Sequence, residues 1–415
     1  MNPLATDDQR DIETLALRIT EAPAVRAARE QARRTLLVDP VIASESGRAG
    51  LERALDQWTL ALAMREANGD PARPKIVWSV DNTPRQWFGH IYPGAAVAVD
   101  NPDNANREIP IDGAYEYEIT GRFGANRTSN FSLKLEEEPA DHAGMGQHLF
   151  MLLTENIHTD ADGHFRITLS RESAEGRANH IQIGPGRQSL YARDSFGDWT
   201  QSATDLAIRR TGGAAPPPPR GEEAITARVA EYLPAFVGFW AGFKEGFYGN
   251  PEPNRIVGPI GREASWGFLA GGRFNLADDE ALVINTASGG ARYTGFQVAD
   301  PWTIAPDPLY RQSSLNSSQI AANPDGSFTY VLSLRDPGIH NWIDPVGLHQ
   351  GWFNLRWQGF PGGHNGEGLV RDCTLVKLDG LERHLPAGCP RVDLAGRRAQ
   401  IAPRAALYRL RHATH

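Results

Sequence analysis

Two stretches of this 415-residue chain nearly repeat each other. "DGHFRITLS" begins at Asp162 and "DGSFTYVLS" at Asp325, an offset of 163. "NHI" at Asn179 matches "NWI" at Asn341, and "LYARDSFGDW" from Leu190 matches "FNLRWQGF" from Phe353. Self-similarity over such distances means one supersecondary unit used twice. Upstream, "AVAVDNPDNANRE" from Ala96 resembles "ALVINTASGGARY" from Ala281, an offset of 185. With the offset changing from 185 to 163, extra residues are expected in the second copy, between Arg292 and Asp325.

The repeated regions read as strands. "YEYEITGRF", "NFSLKLEEE" and "HFRITLS" are short, mostly alternating runs separated by Gly, Asp, Asn and Pro. That is the pattern of an all-β sandwich. The 42 Gly and 29 Pro suit a loop-rich β protein. Residues 6–69 are instead rich in Ala, Leu, Arg and Glu, good helix formers. Within them Leu51, Leu55, Trp58 and Leu62 fall on one helical face. "TGGAAPPPPRGEE", 211–223, is a linker, because four prolines in a row favour extended backbone. A second helix follows, with a kink expected at Pro234. Phe236, Trp240, Phe243 and Phe247 make one stripe along it. Such a stripe either packs on a sheet or forms the wall of an apolar pocket.

The expected fold is mainly β with helical additions: two tandem β-sandwich, jelly-roll-like units, each preceded by an amphipathic helix. The expected divisions are an N-terminal helical segment over 1–70, a first unit over 71–212, a linker over 213–221, and a helix plus second unit over 222–415. A pair of such units makes an interface, where pockets are favoured.

Net charge is −8, and no Lys/Arg-rich run occurs. Nucleic-acid binding is therefore not expected, since phosphate binding needs clustered cations. The first 20 residues lack a basic region followed by an apolar one, and no apolar run approaches membrane-span length. A soluble cytoplasmic protein is expected. Two cysteines, Cys373 and Cys389, are too few for a disulfide scaffold; they read as ordinary thiols or one local disulfide.

The C-terminal half resembles the bacterial family of unknown function DUF1214. The likeness is carried by "ALVINTASGGARYTGFQVADPWT", "YRQSSLNSSQ", "NPDGSFTYVLSLRDPGIHNWIDPVG" and "GWFNLRWQG". The family's Ser-Leu-Asn-x-x-Gln element corresponds to Ser314, Leu315, Asn316 and Gln319. Its Asp-Pro-Gly-x-x-Asn-Trp-Leu-Asp element corresponds to Asp336 through Asp344, with Ile343 at the Leu position. The resemblance implies a fold and no activity.

No strong catalytic motif occurs: the chain has no G-x-S-x-G, H-E-x-x-H or P-loop. "GPIGREASWG" fits no dinucleotide fingerprint. Three sets of residues remain as candidates. In "DNPDNANRE", Asp100, Asn101, Asp103, Asn104, Arg107 and Glu108 crowd one turn, a polar cluster that could face a pocket with Arg107 orienting a carboxylate, carbonyl or phosphate. Turn-making by Asx side chains is the plainer reading. In the C-terminal half His340, His349 and His364 could serve as bases or ligands, but their spacing matches no zinc signature. No metal or cofactor is assigned. Asp344 and Arg356 could pair with each other or with His349, and an Asp–His pair could orient a base. The Pro-rich segment 301–319 carries Trp302, Tyr310, Arg311, Asn316 and Gln319, which suit a binding loop or a cover for a sheet edge. Trp240 joins this substrate-binding set from the aromatic stripe.

The expected function is a cytoplasmic enzyme of small-molecule metabolism acting without a nucleotide cofactor. A lyase, hydrolase or isomerase would use His349, Asp344, Arg107 and Asp103 in a partly apolar pocket near the interface of the two β units. The alternatives are a non-catalytic binding protein for a carbohydrate or apolar metabolite, and a structural assembly protein. The expected partner is a small-molecule substrate, with no nucleic acid and no membrane; a homodimer is left open.

Overall fold

The structure, a computed structural model, describes residues 2–139, 143–263 and 266–413, apart from the Lys244 side chain. Three helices come first: α1 (Asp7–Thr20), α2 (Pro23–Leu36) and α3 (Glu45–Ala67). Thr6 and Ser44 cap α1 and α3 by accepting from Gln9 N and Gly47 N.

The first β unit holds β1 (Val77–Val80), β2 (Arg85–Trp87), β3 (His90–Tyr92), β4 (Asn104–Asp112), β5 (Tyr115–Arg122) and β6 (Asn130–Glu137). It continues with β7 (His148–Leu153), β8 (His164–Ser170), β9 (His180–Gln182), β10 (Arg187–Ser195) and β11 (Asp205–Gly213). After α4 (Glu222–Tyr248) the second unit runs β12 (Val257–Gly261), β13 (Gly267–Asn275), β14 (Glu280–Thr286), β15 (Tyr293–Ala299) and β16 (Ser314–Asn316). Then come β17 (Phe328–Ser333), β18 (Trp342–Ile343), β19 (Gln350–Gln358) and β20 (Val370–Lys377), followed by α5 (Leu394–Ile401) and α6 (Arg404–Arg409).

The protein is mainly β, and its two sandwiches have the same topology. A sheet ordered β1-β4-β10-β6-β7 packs on one ordered β11-β5-β8-β9. Their counterparts are β12-β13-β19-β15-β16 and β20-β14-β17-β18. Even the one parallel pair, β8 with β9, recurs as β17 with β18. Inward residues of the alternating strands form one core per sandwich, around Ile119, Leu133 and Ile167 in the first and Ile284, Phe296 and Leu332 in the second. The Asp-Gly turns also correspond. Gly163 (φ 82°) and Gly326 (φ 79°) both occupy the left-handed region, which glycine enters without a Cβ clash.

The 163-residue offset holds further upstream than expected: Asn104 corresponds to Gly267 and Asn130 to Tyr293, just as Arg187 corresponds to Gln350. The match of "AVAVDNPDNANRE" to "ALVINTASGGARY" is therefore incorrect, because β4 pairs in topology with β13, not with β14. The extra residues lie in the first copy, where 81–103 carry the β2–β3 hairpin; only 262–266 separate β12 from β13.

The boundary at the linker also needs correction. The linker reaches α4, but α4 packs with α1, α2 and α3 into one bundle, around Ile12, Val25, Leu55, Val229 and Leu233. From Gln57 to Met64 α3 is buried on every side, so it is not simply amphipathic. Helix α4 runs on through Pro234. Beyond α6 the chain returns to the first unit: Tyr408 donates to Asp81 at 2.9 Å, and Asn2 donates to the Arg411 carbonyl at 2.7 Å. Cys373 and Cys389 are free thiols. Among the described residues no helix is long and apolar enough to cross a membrane.

The two sandwiches meet at a seam centred on one loop of the first. Asp103 accepts from Trp199 Nε1 at 2.7 Å, from Tyr293 OH at 2.9 Å and from Asn316 Nδ2 at 3.2 Å. Asn101 donates to the same Tyr293 oxygen at 2.6 Å, and Ser195 donates to Gln358 at 2.6 Å. Ser195 and Gln358 occupy equivalent positions in the two copies. We expect Asp103→Ala to leave buried donors without an acceptor and to lower stability by about 3 kcal/mol, read as the shift of a urea unfolding midpoint. Asp103→Asn, which keeps one acceptor oxygen, is expected to lose less.

Candidate functional site

Between the two sandwiches lies a cavity of about 200 Å³. Strand alternation decides what lines it. On β4, Asn104, Asn106 and Glu108 face the cavity, and β10 contributes Tyr191 and Arg193. From the second unit, β19 contributes Asn354, Arg356 and Gln358. Helix α4 closes one side with Phe236, Trp240, Phe243 and Phe247. The aromatic stripe is therefore a cavity wall, the reading that was one of two open in the sequence.

The opposite wall is charged. Arg193 donates through Nε to Asn106 Oδ1 at 2.6 Å and stacks over Trp266 at 4.6 Å. Arg356 donates to Gln297 Oε1 and to the Val99 carbonyl, both at 2.7 Å. Arg262 lies over the same Trp266 ring at 5.4 Å. Burial, then repulsion by Arg262 and Arg356, pulls the Arg193 guanidinium down to about 10. Lys134 pairs with Glu136 and Arg262 with Glu263.

Burial raises two carboxyl groups in this cavity above the ordinary carboxylate range. Burial pushes Glu108 up to about 6; its carboxylate accepts from Ser189 and Tyr191, each at 3.4 Å. Burial pushes Asp100 well above the usual carboxylate range, although Val97 N–H donates to it at 2.9 Å. Several buried polar atoms of residues that line this space have no protein partner: Trp240 Nε1, Trp266 Nε1, Asn354 Nδ2 and Asn104 Oδ1. A buried donor left unpaired is costly, so such atoms point to water or a ligand.

Of the residues singled out in the sequence, Asp100, Asn101, Asn104, Glu108, Arg356 and the α4 stripe with Trp240 line this cavity. The others do not, and the expected catalytic group does not assemble. Arg107 alternates to the inner face of β4, where it is buried and pairs with Asp194 at 2.7 Å. Asp103 belongs to the seam between the sandwiches. Asp344 is buried and pairs with Arg311, so it pairs with neither Arg356 nor His349. His349 is exposed, donating through Nδ1 to the Leu276 carbonyl at 2.8 Å and lying 3.7 Å from the exposed Asp278.

The remaining candidates have structural partners. Trp302 is wholly buried against Trp58 and donates to Gly47 O at 2.6 Å. Tyr310 is exposed and takes a hydrogen bond from Arg409. Asn316 reaches Asp103, and Gln319 accepts from Asn316 N and Arg404. His340 contacts Asn341 Oδ1 at 3.0 Å, while His364 packs on Phe360 at 5.0 Å, so the three histidines do not converge. Among the described residues no group of three His, Cys, Asp or Glu could hold a metal ion.

The sequence reading missed Arg193, Arg262 and Trp266; it placed Asp100 and Glu108 in a polar cluster but gave neither a catalytic role. For Arg193 a signal existed: the 163 offset sets it on Arg356. Arg262 and Trp266 lay in "GPIGREASWG", a string without a recognisable motif.

The fold and cavity thus define a double β-sandwich protein with a helical bundle and a pocket at the inter-sandwich seam. The same fold occurs in the crystal structure of an uncharacterized protein from Burkholderia cenocepacia, at TM-score 0.72 and 22% identity, covering 88% of this chain and 99% of that one. The VPA0106 protein from Vibrio parahaemolyticus aligns at TM-score 0.41 and 11% identity, over 67% of this chain and 90% of its own. No family model and no curated protein matches.

Two outcomes follow from this geometry. Arg107→Met strips Asp194 of its buried partner and is expected to cost about 3–5 kcal/mol in urea unfolding, without altering the cavity. Glu108, with its folded value raised, stabilises the fold below the ordinary carboxylate range, and that contribution is lost as pH rises through about 6. Between pH 4.5 and 7.5, Glu108→Gln should gain about 1–2 kcal/mol relative to wild type. Urea midpoints at the two pH values check this, and a pH-independent difference would contradict the assignment.

Proposed function

We propose that the chain is an enzyme of small-molecule metabolism whose active site is the inter-sandwich cavity. Glu108 and Asp100 act there as general acid and base, in a lyase, hydrolase or isomerase reaction without a nucleotide cofactor. The observation that carries this reading is the pair of carboxyl groups raised by burial, Glu108 to about 6, beside an aromatic wall. A group with a value near 6 exchanges protons readily in both directions at neutral pH. The aromatic wall excludes water from the reacting region and gives an apolar body a place to lie. A cytoplasmic address and membership in DUF1214 belong to the same proposal.

The second reading is a non-catalytic binding protein for a carbohydrate or apolar metabolite. The α4 stripe favours it, since aromatic faces alone can hold such ligands.

The test is untargeted mass spectrometry of a metabolite extract incubated with the protein. We expect at least one compound to be consumed by wild type and by His349→Ala, whose side chain lies outside the cavity. Glu108→Gln and Asp100→Asn are expected to slow consumption by on the order of 100-fold or more. A compound that is bound and returned unchanged supports the binding reading. Equal consumption by all four proteins contradicts the assigned roles.

A further inference from the structure

We infer that the molecule taken up by this cavity is an organic carboxylate, with its charged end among the Arg193, Arg262 and Arg356 guanidiniums and its apolar body against α4. The inference rests on the reading of the cavity as a ligand site and names the class of ligand.

Duplication explains the cluster. Arg193 on β10 and Arg356 on β19 hold one position in two copies, 163 residues apart. Packing the two five-stranded sheets across a seam brings both guanidiniums into one cavity. Among the described residues neither has a carboxylate at salt-bridge distance, whereas Lys134 and Arg262 do. Buried like charges without acid partners are unfavourable, and an anion between them removes that cost. Among the described residues neither Glu108 nor Asp100 lies at salt-bridge distance from either guanidinium, and burial disfavours the charged form of both.

The hydrogen-bonding inventory points the same way. Arg193 uses only Nε within the protein, leaving both Nη nitrogens for a ligand. A guanidinium edge with two parallel donors matches a carboxylate. Three further unpartnered atoms on the walls are donors, Trp240 Nε1, Trp266 Nε1 and Asn354 Nδ2; one, Asn104 Oδ1, is an acceptor. A donor-rich site selects an acceptor-rich ligand. The α4 side carries aromatic rings, among them Phe243 and Phe247, which suits the uncharged end. Glu136, paired with Lys134, lines the same cavity, and its carboxylate weighs against a dianion such as a phosphate monoester.

The experiment compares charged probes with neutral isosteres on the full chain at pH 7.5 by titration calorimetry. The probes are phenylacetate and cinnamate, their amides, and phenyl phosphate. We expect the carboxylates to bind on the order of 10- to 100-fold more tightly than the amides, and Arg193→Gln to abolish that preference while the amides bind as before. Arg262→Gln serves as a second variant if Arg193→Gln does not fold. Equal binding of acids and amides to wild type would overturn the carboxylate inference and leave the cavity reading standing. Tighter binding of phenyl phosphate than of either carboxylate would also overturn it. Failure of all five probes would overturn both.

Discussion

The structure depends on the short loop that ends at Asp103. Its carboxylate accepts from Trp199 of its own unit and from Tyr293 and Asn316 of the other, all out of water. The carbonyls of Val99 and Asp100 accept from Arg356 and Gln297 of the second unit. A loop that could have served one sandwich instead joins two. Burial raises the Asp103 carboxyl above its ordinary value, and the donors around it oppose that shift. The seam thus fixes the spacing of the two five-stranded sheets, and the cavity is the space left between them. Helices α3 and α4 then close it, because the bundle they belong to sits over the seam.

Duplication and divergence together account for the character of the cavity. Positions related by the repeat meet across the seam: Ser195 bonds Gln358, and Arg193 and Arg356 share one space. Other positions have diverged. Glu108 has Gly271 as its counterpart, and Tyr191 has Asn354. The acid groups therefore come only from the first copy, while guanidiniums come from both. An asymmetric, charged interior between two similar sandwiches favours a ligand-handling role over plain assembly, since interiors that serve packing alone leave few polar atoms unpaired.

Much of the architecture was legible in the sequence. Alternating runs and Asp-Gly turns announced strands, and the repeat announced two of each sheet. Asn179 and Asn341, in matching bends, both tie backbone to backbone: Asn179 to His158, Asn341 to Ala321. The site was much less legible. Arg107 and Asp344 looked available because a sequence does not show which face of a strand turns inward; each is buried against one opposite charge. Trp302 looked like a binding-loop residue because its partner, Trp58, lies far away in the chain. The α4 stripe could not be told from core packing, since both readings need the same helical period. Glu108 and Asp100 owe their raised values to burial, which no local pattern records.

The central claim is that the inter-sandwich cavity is where this protein meets its ligand. The most direct measurement is a crystal structure of the protein after incubation with a deproteinised extract of the cells that make it. The account predicts density for one small molecule between Phe243 of α4 and Arg193 of β10, with an acceptor oxygen at hydrogen-bond distance from the guanidinium. Density at any other surface, with only ordered water in the cavity, would contradict it.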